Sequence, residues 1–476
     1  MTNDTIWRLS ATETAEKTRS GELSVEAAVS AAIARMHAVN PDLNAVVEDL
    51  GDEAMERAVA LDKARAGGAT PGPLHGLPVT IKVNVDQAGH ATTNGVLALR
   101  DVIAEHDAPV VENLQKAGAI VIGRTNTPEF SFRADTDNPL YGRTHNPWGT
   151  HISPGGSSGG AGASIMAGIG TLAHGNDIGG SLRFPAAANG AVTVKPGLGR
   201  VPAYNPSQKA ERGMLSQSMS VQGLITRTAQ DLHMSMPSMI APDPRDPFHI
   251  PLPWQGAPLE SPIKVAFTKN TFEFDLHPEV EKALDTAREA LEDAGYQVEE
   301  IDPPLIRDCG MDGYRTLMGE MAGMMRDDIK VLGSNDINAL FNEYFDQFQP
   351  FEGAELLAMM AKRTHYAREL SLFLAEYPLA LTPFMPTPFF GPDRDLEGAA
   401  GVREVLGAAL YSYSMNFVGL PAGSVPARLA DLPKGPQPIN VQVIGQRWRE
   451  DLIVDAMIAI ESRVGRMCDV LWERMG

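Results

Sequence analysis

The sequence predicts an α/β protein with a mostly parallel or mixed sheet. Amphipathic helical stretches alternate with short apolar strands towards both ends of the chain, and glycines punctuate the junctions between them. No tandem repeat or low-complexity tract interrupts that grammar. With 476 residues, 43% of them apolar, the chain can bury a large core. Length alone would suggest about three domains of about 150 residues each, a prior that large α/β enzymes often break.

Taken in order, the first 66 residues read as helical, because "VEAAVSAAIARMHAV" and "EAMERAVALDKARA" repeat apolar residues at three- and four-residue spacing. "LPVTIKVNVD" changes the period to two. Val79, Ile81, Val83 and Val85 fall on one side and Thr80, Lys82 and Asn84 on the other, which predicts a strand. "APVVENLQKAGAIVIGRTN" reads as a helix, a stop at Gly118 and a buried strand over 119–122. The same grammar returns in "PEVEKALDTAREALEDAGYQVEEI", where Val280, Ala283, Leu284, Ala287 and Leu291 share a helical face and Gly295 ends it before a strand. Residues 241–262 hold seven prolines and read as an excursion over the surface of one domain, since helix–strand units lie on both sides of it.

Charge and cysteine usage narrow the function. A net charge of −20, with the acidic residues dispersed, disfavours nucleic acid and anionic lipid as partners. The two cysteines, Cys309 and Cys468, lie far apart and match neither a disulfide framework nor a metal site. "MTNDTIWRLS" lacks a basic region followed by an apolar one, so no signal peptide is expected. The uncharged stretch between Arg143 and Asp177 is too rich in Gly, Ser, Asn and Pro to read as a membrane span. These features point to a cytoplasmic protein without cofactor or metal.

The chemistry concentrates in "SPGGSSGGAG", residues 153–162, where Ser157 and Ser158 stand between pairs of glycines. Glycine at that density costs order, about 0.5–1 kcal/mol per residue against alanine inside a regular element. A phosphate loop would need a lysine, and none occurs between 144 and 194. "GSSGG" fits the nucleophile-elbow pattern around Ser158, but that mechanism needs a late histidine and the last one is His365. A second knot, "NDIGGSLRFP", offers consecutive N–H groups at Ile178, Gly179, Gly180 and Ser181 that could face a developing oxyanion. A small-residue helix between the knots could fold one against the other. Without a suitable histidine, a serine nucleophile can use a buried neutral lysine as base. Lys82 in "PVTIKV" and Lys195 in "AVTVKPG" sit in look-alike strands, and their residues do not decide between them.

"GLPVTIKVNVD", "GRTNTPEF", "NPLYGRTHNPWGTHISPGGSSGG", "DIGGSLRFPAAANGAVTVKPGLGRVP" and the late "NFVGLPAGSVP…PINVQVIG" together resemble the amidase signature family, in that family's order. The resemblance implies one amidase-signature domain over 1–476, with a signature core over about 70–230. Its fold would be a large mixed, mostly parallel sheet covered by helices on both faces. It implies a Ser–cis-Ser–Lys triad: Lys82 as base, Ser157 as the bridging serine after a cis Gly156–Ser157 peptide, and Ser181 as the acylated nucleophile. The oxyanion would be held around Ile178, Gly179 and Gly180, with Ser158, Asn176, Asp177 and Arg183 supporting the loop, and Ser131 and Phe132 near the substrate. The chain departs from the family pattern at Asn176, where Thr or Ser is more common, and at Thr193 and Gly197. The expected activity is hydrolysis of a small or medium carboxamide without a cofactor, and a homodimer would be compatible with it. The alternative is the catalytic A-type subunit of a glutamine-dependent tRNA amidotransferase. Such subunits typically carry "SSLDQIGP" where this chain reads "MSQSMSVQGLITRT".

Overall fold

The computed structural model describes residues 3–475. Eleven strands form one sheet: β1 Val46–Asp49, β2 Pro78–Lys82, β3 Ile120–Thr125, β4 Leu172–Asp177, β5 Val192–Lys195, β6 Val221–Thr226, β7 Lys264–Phe267, β8 Gln297–Glu300, β9 Leu379–Pro383, β10 Ala422–Leu432 and β11 Gly435–Gly445. Their spatial order is β1-β3-β2-β4-β6-β5-β10-β11-β9-β7-β8. The sheet is large and mixed, as expected, but parallel pairing does not predominate. Parallel pairs are confined to the flanks, at β2–β3, β2–β4, β7–β8 and β7–β9. The centre is antiparallel, because β10 and β11 form a long hairpin whose outer edges pair with β5 and β9.

Strand alternation divides the core. Val265 and Phe267 of β7, Leu379 and Leu381 of β9, and Val441 and Val443 of β11 join one apolar cluster, whereas Ala266, Ala380 and Ile444 join another. Helices Ala229–Met239, Pro278–Asp293 and Glu450–Val464 complete the first cluster. Helices Ile306–Met324, Asn335–Phe348 and Leu410–Val418 complete the second. Helices therefore cover both faces, and the central strands are buried except at the open end of the β10–β11 hairpin and at Asn176 and Gln222.

The elements follow the sequence with instructive exceptions. Helix Pro278–Asp293 buries the face read from its spacing, and Gly295, with φ of +90°, ends it. Gly118 has φ of +101°, and a Cβ there would meet the His75 backbone at 2.9 Å. The strand expected through Val85 ends at Lys82, where the Val85 N–H turns back to the Lys82 carbonyl at 3.2 Å. In the N-terminal stretch read as wholly helical, "VVED" forms edge strand β1 against β3. The proline-rich 241–262 segment has neither helix nor strand, yet it is pinned inward. Buried Arg200 donates to the carbonyls of Leu252, Pro253 and Trp254 and pairs with buried Glu450 at 3.1 Å. Among the described residues, no helix is long and apolar enough to cross a membrane.

Candidate active site

Close backbone approach explains the glycine density around Ser157. A Cβ on Gly156 would lie 2.3 Å from the Arg133 carbonyl oxygen, and one on Gly160 would lie 2.5 Å from the Asn126 amide. Both obstacles are main chain and cannot move aside. The Gly156–Ser157 peptide is cis. Helix Gly159–Met166 and β4 then carry the chain back, so that the Ser158 N–H donates to the Ser181 carbonyl at 3.2 Å. The two Gly-Ser knots, centred on Ser157 and Ser181, thus lie side by side despite their separation in sequence.

Lys82 ends β2 inside this turn, fully buried. Its Nζ lies 2.6 Å from Ser157 Oγ, 3.1 Å from Ser158 Oγ and 2.9 Å from Asn176 Oδ1. Burial pushes the amine well below its ordinary pKa, and the Asp177 carboxylate only partly opposes that shift. Lys195 is buried too, and burial with the nearby Arg183 charge lowers it to about 7. Its Nζ donates to the Pro196 carbonyl at 2.7 Å and makes no contact with either serine of the turn.

The loop carrying Ser181 hangs on a buried ion pair. Asp177 and Arg183 are both fully buried and joined twice at 3.0 Å. Burial opposes ionisation of Asp177, but Arg183 holds its carboxyl below the ordinary range. Arg183 also donates to the Ser412 carbonyl and Gln442 Oε1, each at 3.0 Å, while Asn416 Nδ2 donates to Asp177 Oδ1 at 2.9 Å. These three partners come from the last quarter of the chain. Asn416 and Gln442 lie in the late family segments, but nothing local in their sequence signals the contact. The Gly180 N–H, expected to face an oxyanion, donates instead to Asp177 Oδ1 at 2.7 Å. Among the described residues, the N–H groups of Ile178, Gly179 and Ser181 have no protein acceptor. Gly180 has φ of +136°, and a Cβ there would meet Phe184 at 2.4 Å.

Ser181 lies where two spaces meet. A cavity of about 530 Å³ is lined by Ser157, Asn176, Ile178 and Ser181 together with Asn84, Asn94, Phe130 and Met321. A smaller pocket of about 50 Å³ opens from Ser181, Ile178 and Gly179 between Phe132, Phe184, Tyr314, Tyr344 and Tyr413. Phe132 crosses Phe341 edge-on at 4.8 Å, and Tyr413 stacks on Tyr314 at 3.5 Å. Ser131 lines both spaces, but its hydroxyl is engaged: Oγ donates to Asn94 Oδ1 at 2.6 Å and accepts from Asn84 Nδ2 at 2.9 Å. An adjoining chamber of about 470 Å³ shares six lining residues with the larger cavity, Asn205 and Gln222 among them, and contains none of the serines 157, 158 or 181. Among the described residues, no cluster of His, Cys, Asp and Glu is arranged to hold a metal ion.

The amidase family model matches residues 27–454. The chain belongs to the amidase signature family. This amidase is 46% identical to the indoleacetamide hydrolase of Bradyrhizobium diazoefficiens over 99% of its own length and 89% of that protein's. It is 30% identical to the A-type subunit of the glutamyl-tRNA(Gln) amidotransferase of Carboxydothermus hydrogenoformans, covering 96% of this chain and 97% of that one. Its fold matches the crystal structure of a bacterial aryl acylamidase of the same family with a TM-score of 0.82 at 26% identity, over 97% of this amidase and 98% of that chain. It is a hydrolase of C–N amide bonds, and the resemblance to the amidotransferase protein is the more distant one.

Proposed function

We propose that this amidase hydrolyses an arylalkyl carboxamide of the indoleacetamide kind through an acyl-enzyme on Ser181. The observation that carries the reading is the 2.6 Å contact between buried Lys82 Nζ and Ser157 Oγ, in a cavity that Ser181 also lines. Neutral Lys82 accepts the Ser157 proton as Ser157 takes the proton of Ser181, whose Oγ attacks the carbonyl carbon. The amides of Ile178, Gly179 and Ser181 are open to the resulting oxyanion, and one such donor contributes about 3–4 kcal/mol in comparable sites. As the C–N bond breaks, Lys82 returns a proton through Ser157 to the leaving nitrogen. Water then attacks the ester by the same relay, releasing the acid and free Ser181.

The two spaces suggest how the substrate divides. Ser157 must protonate the leaving amine, and Ser157 lines only the larger cavity. The acyl group then points towards the mouth of the compact pocket between Phe132, Phe184, Tyr314 and Tyr413, which at about 50 Å³ admits a flat aromatic ring only when those rings move apart. The name of the 46%-identical relative supports the same substrate class. The test is ammonia release from indoleacetamide, phenylacetamide and acetamide by the purified chain alone. The two aryl amides should be turned over well ahead of acetamide, and Ser181→Ala should release nothing from any of them. Turnover of glutamine only, and only with added partner proteins, would favour the amidotransferase reading instead.

A further inference from the structure

Lys82 has three polar neighbours, and only one of them can receive its lone pair productively. A neutral amine carries two N–H donors and one lone pair. If the lone pair faces Ser157, the two protons must go to Ser158 and Asn176. Ser158 Oγ is suited to accept, because its own proton is directed at the Asn176 backbone carbonyl at 3.3 Å. Asn176 is ambivalent, since its side chain offers an acceptor on one edge and donors on the other. Turned around, its NH₂ would donate to Lys82 and compete with Ser157 for the lone pair.

A second asparagine sets the direction. Asn84 and Asn176 form a reciprocal amide pair, with Asn176 Nδ2 donating to Asn84 Oδ1 at 2.9 Å and Asn84 Nδ2 donating to Asn176 Oδ1 at 3.2 Å. The other Asn84 N–H goes to Ser131 Oγ, which donates onward to Asn94 Oδ1. Polarity therefore runs one way, from Asn94 on the cavity wall through Ser131, Asn84 and Asn176 to Lys82. Reversing it would require every hydrogen bond of the chain to be remade.

We propose that Asn84 is a positioning residue for the proton relay, holding the Asn176 carbonyl against Lys82 so that the amine lone pair faces Ser157. This rests on the relay proposed above. Asn84 lies two residues past Lys82, in the turn that follows β2, and Asn176 sits near the end of β4 with its side-chain oxygen on the amine. An asparagine there needs a partner to fix its orientation, and Asn84 is that partner.

The test is the pH profile of kcat/KM for two substitutions at one position. The ionisable groups facing Lys82 are Asp177, ionised against Arg183, and His174 on β4, which burial pushes down to about 3. Both keep their charge state across the neutral range, so the acidic limb reports Lys82. In Asn84→Leu, Asn176 is free to turn its NH₂ towards Lys82, which disfavours the ammonium. The plateau should fall about 10- to 100-fold, with kcat rather than KM affected, and the limb should move to lower pH. In Asn84→Asp, the carboxylate still accepts from Asn176 but loses the N–H donations to Asn176 Oδ1 and Ser131, so the plateau should fall less than in Asn84→Leu, while the added charge moves the limb to higher pH. Shifts in the same direction, or an unmoved limb, would overturn the proposal. Should Asn84→Leu fail to give a cooperative melt, Ser131→Ala unlatches the same chain one step earlier and should show the same lowered plateau and limb. Lys82→Ala run alongside separates the two levels: substantial turnover there would refute the relay itself, whereas its loss with wild-type profiles at residue 84 would refute only the role of Asn84.

Discussion

Lys82 and Lys195 end two strands that read almost alike, "PVTIK" and "VTVK", and both are fully buried. What differs is what each amine faces. Lys82 meets two hydroxyls and a carboxamide beside Ser181, whereas Lys195 meets one backbone carbonyl beside the Asp177–Arg183 pair. Burial lowers the pKa of both. The comparison teaches that desolvation lowers an amine's pKa and frees its lone pair nearer neutral pH without making it a catalyst; a hydroxyl path to the nucleophile has to be built as well.

The comparison breaks most easily at the two lysines. Lys82→Ala should lower kcat/KM for an aryl amide by about 10³-fold or more, the scale of losing a general base, whereas Lys195→Met should keep most of it. The reverse outcome in steady-state ammonia assays would exchange the two roles. Next in size is Asp177→Asn, which leaves the Arg183 charge buried without its carboxylate and should lower stability by about 3–5 kcal/mol in urea unfolding. An unchanged midpoint would show that Ser412, Asn416 and Gln442 suffice to hold Arg183. A third effect concerns the pH dependence of stability. Lys195 has a folded-state pKa of about 7 against an ordinary 10.5, so the unfolded chain binds more protons between those values and stability should rise with pH across that window. Lys195→Met should flatten this slope without abolishing it, because Lys82 is displaced in the same direction.

The same pair marks how far the sequence could be read. Period and punctuation exposed helix Pro278–Asp293, strand β3 and the lysine-bearing ends of β2 and β5, because those signals are local. Edge strand β1 escaped, since four residues between two long helical stretches carry too little alternation to register. Parallel pairing was over-read, because the β10–β11 hairpin joins the two flanks through contacts that helix–strand grammar does not encode. At the site, residue types narrowed the base to two lysines, and only the family resemblance chose one. Apart from Asp177, the partners of Arg183 lie more than 200 residues away in sequence, where no spacing rule reaches. The amide of Gly180 looked like a free donor in "DIGGS", because nothing in that string reveals that Asp177 folds back onto it.

The most direct test of the central claim is the charge on one nitrogen. Lysine Nζ can be ¹⁵N-labelled throughout the protein and the Lys82 resonance identified as the one missing from Lys82→Ala. At pH 7 that resonance should be that of an uncharged amine, becoming an ammonium only as the pH is lowered. A Lys82 signal that remains an ammonium until it titrates near the ordinary 10.5 would contradict the account, because Ser157 would then have no base to which it could pass a proton.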